Sequence, residues 1–186
     1  MTSAPKREPS EIEPRLFIGT RENAAALGPS VPPNWCCISV TEYRAKYGHS
    51  EELPNEPQGA IELPFMRTGK ADAAVLDQIA ATIEREITAG KNVLVHCVHA
   101  HERSPLAITW YLAWREGLLL EVAHARVVAK HPPTQNRLRW VQGISPCQRA
   151  VPIAQSKASV PFDQSKIEPQ PETIALEDTA TRSGSR

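Results

Sequence analysis

Val93-Leu94-Val95-His96-Cys97-Val98-His99-Ala100-His101-Glu102-Arg103-Ser104-Pro105 decides the reading of this chain. Val93 to His96 is a short run, mostly apolar and with β-branched Val93 and Val95, of the kind a buried strand needs. Ser104-Pro105 offers an N-cap followed by a proline at the first helical position, and a long apolar helical pattern comes after it. Between them lies a tight loop, with a thiol at its start (Cys97) and a guanidinium at its end (Arg103). A loop wrapped from strand end to helix start turns backbone N–H groups and a positive helix terminus into one small bowl. Such a bowl suits a tetrahedral oxyanion, and Cys97 sits beneath it as a nucleophile.

The chemistry asks for these residue types. A free thiol with a pKa of ~8.5 is only a few per cent ionised at neutral pH. A helix N-terminus, loop amides and a nearby guanidinium lower a thiol so placed to between ~3.5 and ~7.5. The planar fork of an arginine clamps two oxygens of an oxyanion, which a lysine cannot do bidentately. A bare Cys-x5-Arg is a weak signal, and the structural alternative is a core cysteine beside a surface arginine. Three features raise it here: the strand before, the helix start after, and His96 and Ser104 bracketing the loop.

His96-Cys97-x5-Arg103-Ser104 resembles the signature loop of the cysteine-dependent protein tyrosine phosphatases, and Arg103-Ser104-Pro105 resembles its dual-specificity branch. The resemblance extends over residues 12–142. Arg15-Leu16-Phe17-Ile18-Gly19 is similar to that branch's opening strand, and Leu63-Pro64 to the strand leading into its acid loop. Ala129-Lys130-His131-Pro132-Pro133 is similar to the end of a late helix. The resemblance implies that Cys97 is the nucleophile, Arg103 the phosphate clamp and Ser104 the hydroxyl that assists thiolate release, with His96 in support. Phosphate would be bound by the loop from Val98 through His99, Ala100, His101 and Glu102 to Arg103.

The chain departs from the family pattern twice. Ala100 stands where the family loop usually has glycine, so a Cβ is added where the backbone takes an unusual conformation. The family's general acid belongs near Met66 or Arg67, and neither is acidic. Asp72 is the only carboxylate in the loop just before the next helix. It is read either as that helix's N-cap or as a displaced general acid.

Composition narrows the classes. The sequence has 186 residues, with Lys+Arg and Asp+Glu balanced at 21 each, so nothing argues for nucleic acid or an anionic membrane. No apolar run approaches the ~20 residues of a membrane span. The polar, proline-bearing start lacks a signal-peptide core. Cys36, Cys37, Cys97 and Cys147 form no metal spacing, and a reducing cytoplasm fits them best. Cys36 and Cys37 read as core residues, or else as a disulfide partner for Cys97. No cofactor and no metal are expected, and oligomeric state is open.

The rest of the chain alternates strand and helix. Residues 1–11 read as disordered, 12–148 as the phosphatase-like domain, and 149–186 as a disordered tail rich in Ser, Thr, Pro, Gln and Glu. Strands are expected at Leu16-Phe17-Ile18, Trp35 to Val40 and Ala60 to Leu63. Helices are expected over 20–27, 72–89, 105–115, up to His131, and 135–143. This predicts an α/β fold: a mainly parallel central sheet flanked by helices, three layers, with the site at a strand's C-terminal end. The expected function is hydrolysis of phosphomonoesters through a phosphocysteine, on phosphotyrosine and/or phosphoserine/threonine of a protein, with a small phosphomonoester as the other substrate considered. Glu102 and the lack of lysine in the loop disfavour inositol polyphosphates. The alternatives are a phosphate-binding pseudophosphatase with little turnover and, more remotely, a sulfurtransferase.

Overall fold

The computed structural model describes residues 8–41, 57–67 and 70–146. All of them fall in one compact unit, Met1–Val151, while the second unit, Pro152–Arg186, lies outside the described residues, as does the expected tail. The elements are β1 (Ser10–Glu13), β2 (Leu16–Gly19), α1 (Arg21–Ala25), β3 (Trp35–Ser39), β4 (Ile61–Glu62), β5 (Met66–Arg67), β6 (Lys70–Ala71), α2 (Ala73–Thr88), β7 (Asn92–His96), α3 (Arg103–Glu116) and α4 (Leu120–Lys130). A 3-10 turn, Leu138–Val141, follows.

The sheet runs β1-β2-β7-β3-β4, and β5-β6 is a separate small hairpin. β2, β7, β3 and β4 are parallel, and only β1 runs against its neighbour β2. β7 therefore sits in the middle with a parallel partner on each side, as its unbroken apolar character requires. Its side chains alternate between faces. Val93 and Val95 pack into the main core under α2, α3 and α4, whereas Leu94 joins Ala24 of α1 and Cys37 on the opposite face. Helices thus cover both faces, which is the layered α/β architecture expected.

α3 is the helix closest to hydrophobic on all sides, with every residue from Ser104 to Trp114 buried. Its two largest fully buried side chains keep their polar tips paired: Trp110 Nε1 donates to Asp77 at 2.8 Å, and the Tyr111 hydroxyl donates to Glu84 at 2.7 Å. Full burial of such side chains contributes roughly 1.5–3 kcal/mol each. α3 stops at Gly117, whose φ of 68° is left-handed and costs a glycine little.

Three expectations need correction. β1 starts at Ser10, inside the segment read as disordered; it pairs along β2 and buries Ile12. The stretch 135–143 contains a 3-10 turn in place of a helix, because Leu138 and Val141 supply one apolar turn and no second one. α3 begins at Arg103 with Glu102 in the capping position, so Ser104 lies inside the first turn and does not cap it. Among the described residues, no helix is long and apolar enough to cross a membrane.

Candidate active site

β7 ends at His96, paired with Gly19 on one side and Ser39 on the other, and the chain turns at Cys97 into the loop that starts α3. His96 is fully buried at this strand end. The loop curls over a depression of about 370 Å³ lined by Cys97, Val98, His99, His101, Glu102, Arg103 and Gln135. Cys97 is buried at its floor with 5% exposure. The Ser104 hydroxyl, displaced from capping, donates to the Cys97 sulfur at 3.4 Å. The Arg103 Nε is buried and makes no hydrogen bond among the described residues.

The outer surface of the loop explains its inner one. The Val98 carbonyl accepts from the Arg21 N–H at 3.3 Å, and the His101 carbonyl from the Gln135 N–H at 2.7 Å. The Ala100 carbonyl accepts from His131 Nε2 at 2.8 Å. All peptides here are trans, and in a trans peptide the C=O and N–H point in opposite directions. Drawing these three carbonyls outward therefore turns the amides of His99, His101 and Glu102 into the bowl. That is the row of donors an oxyanion needs.

Ala100 adopts φ 60° and is 2% exposed. It takes the left-handed conformation that makes glycine usual there, at a cost of roughly 1–2 kcal/mol for a residue with a Cβ. His99 and His101 stand at the rim with ring centroids 6.2 Å apart. The Glu102 carboxylate is held by Arg137, whose Nε donates at 2.8 Å, and the same guanidinium lies 5.3 Å from the centre of the Trp140 ring. The acidic side chain of the loop is thereby paired with a cation.

Asp72 caps α2, accepting from the N–H groups of Ala74 and Val75 at 3.0 and 3.4 Å. It is not among the residues lining the depression at Cys97. Arg67, at the family's acid position, belongs to β5, in the hairpin just before that cap.

Cys36 and Cys37 do not approach Cys97. They stand level with Val93 and Leu94 on the neighbouring strand, four and three residues below it. At ~3.3 Å per residue this is about 13 and about 10 Å, against a disulfide limit of about 7 Å between Cα atoms. The redox pairing considered from sequence is therefore not available in this fold. Burial raises the Cys36 thiol to about 11, with Glu86 adding to the rise. Cys147 lies outside the described residues. Among the described residues, no group of three or more His, Cys, Asp or Glu is placed to hold a metal ion.

Sequence reasoning missed Arg21, His131, Gln135 and Arg137. From sequence His131 reads only as the end of a late helix, the other three belong to no motif, and each reaches the loop from a part of the chain distant in sequence.

The fold is that of the dual-specificity branch of the cysteine-dependent phosphatases. A mouse putative dual specificity phosphatase, crystallised as a complex with zinc tungstate, superposes with a TM-score of 0.56 at 25% identity, covering 75% of this chain and 85% of that one. Human DUSP28 gives 0.52 at 24%, covering 69% and 84%. The human tyrosine phosphatase-like serine/threonine/tyrosine-interacting protein gives 0.57 at 20%, covering 73% and 91%. No protein-family model and no curated protein matches the sequence.

Proposed function

We propose that the chain is a cysteine-dependent phosphatase acting on phosphomonoesters, with phosphotyrosine or phosphoserine/threonine of a protein as its substrate. The observation that carries this reading is the Ser104 hydroxyl donating to the buried Cys97 sulfur at the floor of an amide-lined bowl. In the first step the Cys97 thiolate attacks phosphorus, forming the S–P bond as the ester O–P bond breaks. The departing oxygen takes a proton from an acid or from water. The amides of His99, His101 and Glu102, together with Arg103, hold the equatorial oxygens where charge develops. In the second step water attacks phosphorus, the S–P bond breaks, and inorganic phosphate leaves. The Ser104 O–H stabilises the sulfur as it regains its negative charge.

Two observations favour the reading of a phosphate-binding protein with little turnover: the left-handed Ala100 and the engagement of Asp72 as a helix cap. The Arg137–Glu102 pair reduces the repulsion that a bare loop carboxylate would offer a polyanion. It supplies no free cation there, so a singly phosphorylated residue remains the substrate proposed.

The test is hydrolysis of an aryl phosphate and of phosphotyrosine and phosphothreonine peptides by wild type and Cys97→Ser. The variant should lose turnover and still bind tungstate, since the amides and Arg103 remain. Wild-type rates in Cys97→Ser reject the cysteine mechanism. Tungstate binding by a wild type that hydrolyses none of these esters selects the binding reading.

A further inference from the structure

His131 is a buried side chain, 5% exposed, at the end of α4 and 31 residues along the chain from the carbonyl it contacts. Its backbone is pinned at both ends. Its N–H donates to the Val127 carbonyl at 2.7 Å, and its own carbonyl accepts from the Thr134 hydroxyl at 2.7 Å. Its ring spans two partners, with Nε2 2.8 Å from the Ala100 carbonyl and Nδ1 2.8 Å from the Ser10 hydroxyl. A carbonyl oxygen only accepts, so Nε2 must carry a proton. In the neutral ring Nδ1 then accepts from Ser10, which orients the imidazole.

The acceptor is the carbonyl of the one loop residue held at positive φ, Ala100. An alanine there tends to relax toward negative φ. That would swing its carbonyl off the outer wall and rotate the His101 amide out of the bowl. We infer that His131 is a positioning residue: by fixing the Ala100 carbonyl outward, it holds an alanine in the geometry a glycine would take freely. The Gln135 N–H on the next carbonyl, that of His101, extends the same wall by one peptide. The consequence for oxyanion binding stands on geometry alone, while that for turnover rests on the phosphatase reading.

The inference predicts coupling between residues 100 and 131, which a merely structural histidine would not show. An asparagine amide reaches about as far as the ring Nδ1, and a glutamine amide about as far as Nε2. Full-length wild type, H131N, H131Q, A100G and A100G/H131N are titrated with tungstate and assayed on an aryl phosphate. H131N should weaken tungstate binding about tenfold or more, equal to about 1.4 kcal/mol, and H131Q should stay within about threefold of wild type. In the A100G background, H131N should cost less than about threefold. Equal losses in the two backgrounds, or full affinity in H131N, overturn the inference. Should H131N alone fail to fold, the double variant decides. Folded and within about threefold of A100G it supports the coupling, and unfolded it overturns it. A wild type that binds tungstate without hydrolysing the ester removes the phosphatase reading and leaves His131 to be judged on the affinities. A wild type that turns over with equal losses does the reverse, and one that binds no tungstate overturns both.

Discussion

The Ser104 hydroxyl donates to the Cys97 sulfur at 3.4 Å, and neither residue is appreciably exposed. A hydrogen bond to a charged group contributes about 1.5–3 kcal/mol, so its loss should slow the step in which sulfur becomes the leaving group by about 10- to 100-fold. Ser104→Ala should therefore release one equivalent of aryl alcohol in a burst and then turn over slowly. Rapid-quench kinetics with no burst and an unchanged kcat would exclude this role.

Arg103→Lys should be nearly as damaging as loss of the thiol. The buried Nε of Arg103 belongs to a planar fork that an ammonium cannot reproduce. Removing one preorganised donor from an oxyanion site costs about 10²–10³-fold in rate. Steady-state kinetics giving kcat/KM within a few-fold of wild type would remove Arg103 from the clamp.

Leaving-group dependence reports on the acid. A general acid contributes ~10²–10⁴-fold, and most where the departing oxygen is basic. With Asp72 bound to its own helix amides, activated aryl phosphates should be cleaved far faster than unactivated ones. Asp72→Asn should change little, since asparagine caps about as well. Arg67→Asp should partly restore the slow substrates. A flat plot of log rate against leaving-group pKa in wild type rules out weak or absent acid catalysis.

Alkaline pH should destabilise the fold in a range where every carboxylate is already ionised, so the buried thiol and phenol set the effect. Burial raises the Cys36 thiol from 9.0 to about 11. Burial, and donation to Glu84, raise the Tyr111 phenol above its ordinary 10.0. Between pH 9 and 11 the unfolded chain gives up the Cys36 proton while the folded chain keeps it, so stability falls as pH rises. The melting temperature should decline across that window, and Cys36→Val should make the decline shallower. A melting temperature flat from pH 8.5 to about 11 counts against this.

Much of the fold was legible because its signals are local. The β-branched run at Val93 to Val95, the helical spacing of Leu76, Ile79 and Ile83, and Gly117 each declare an element within a few residues. The strand-to-loop-to-helix order also put Cys97, Arg103 and Ser104 in one place. What escaped depends on contacts between distant segments. β1 buries only Ile12 fully and exists by pairing with β2. Leu138 and Val141 suggested a helix that a single turn satisfies. Ser104-Pro105 looked like a cap, but the hydroxyl is engaged by sulfur. His131 looked like a helix end, and only the folded chain brings its ring to the carbonyl of Ala100.

The outer wall of the loop is fastened from α1 at one end and from residues 131–137 at the other. During synthesis Cys97 and Arg103 emerge well before His131, Gln135 and Arg137. A nascent or truncated chain ending at residue 130 would hold the whole signature sequence and lack those three fasteners. Such a chain should bind tungstate more weakly than the full-length protein, because the carbonyls of Ala100 and His101 and the Glu102 carboxylate lose the partners that hold the outer wall of the loop.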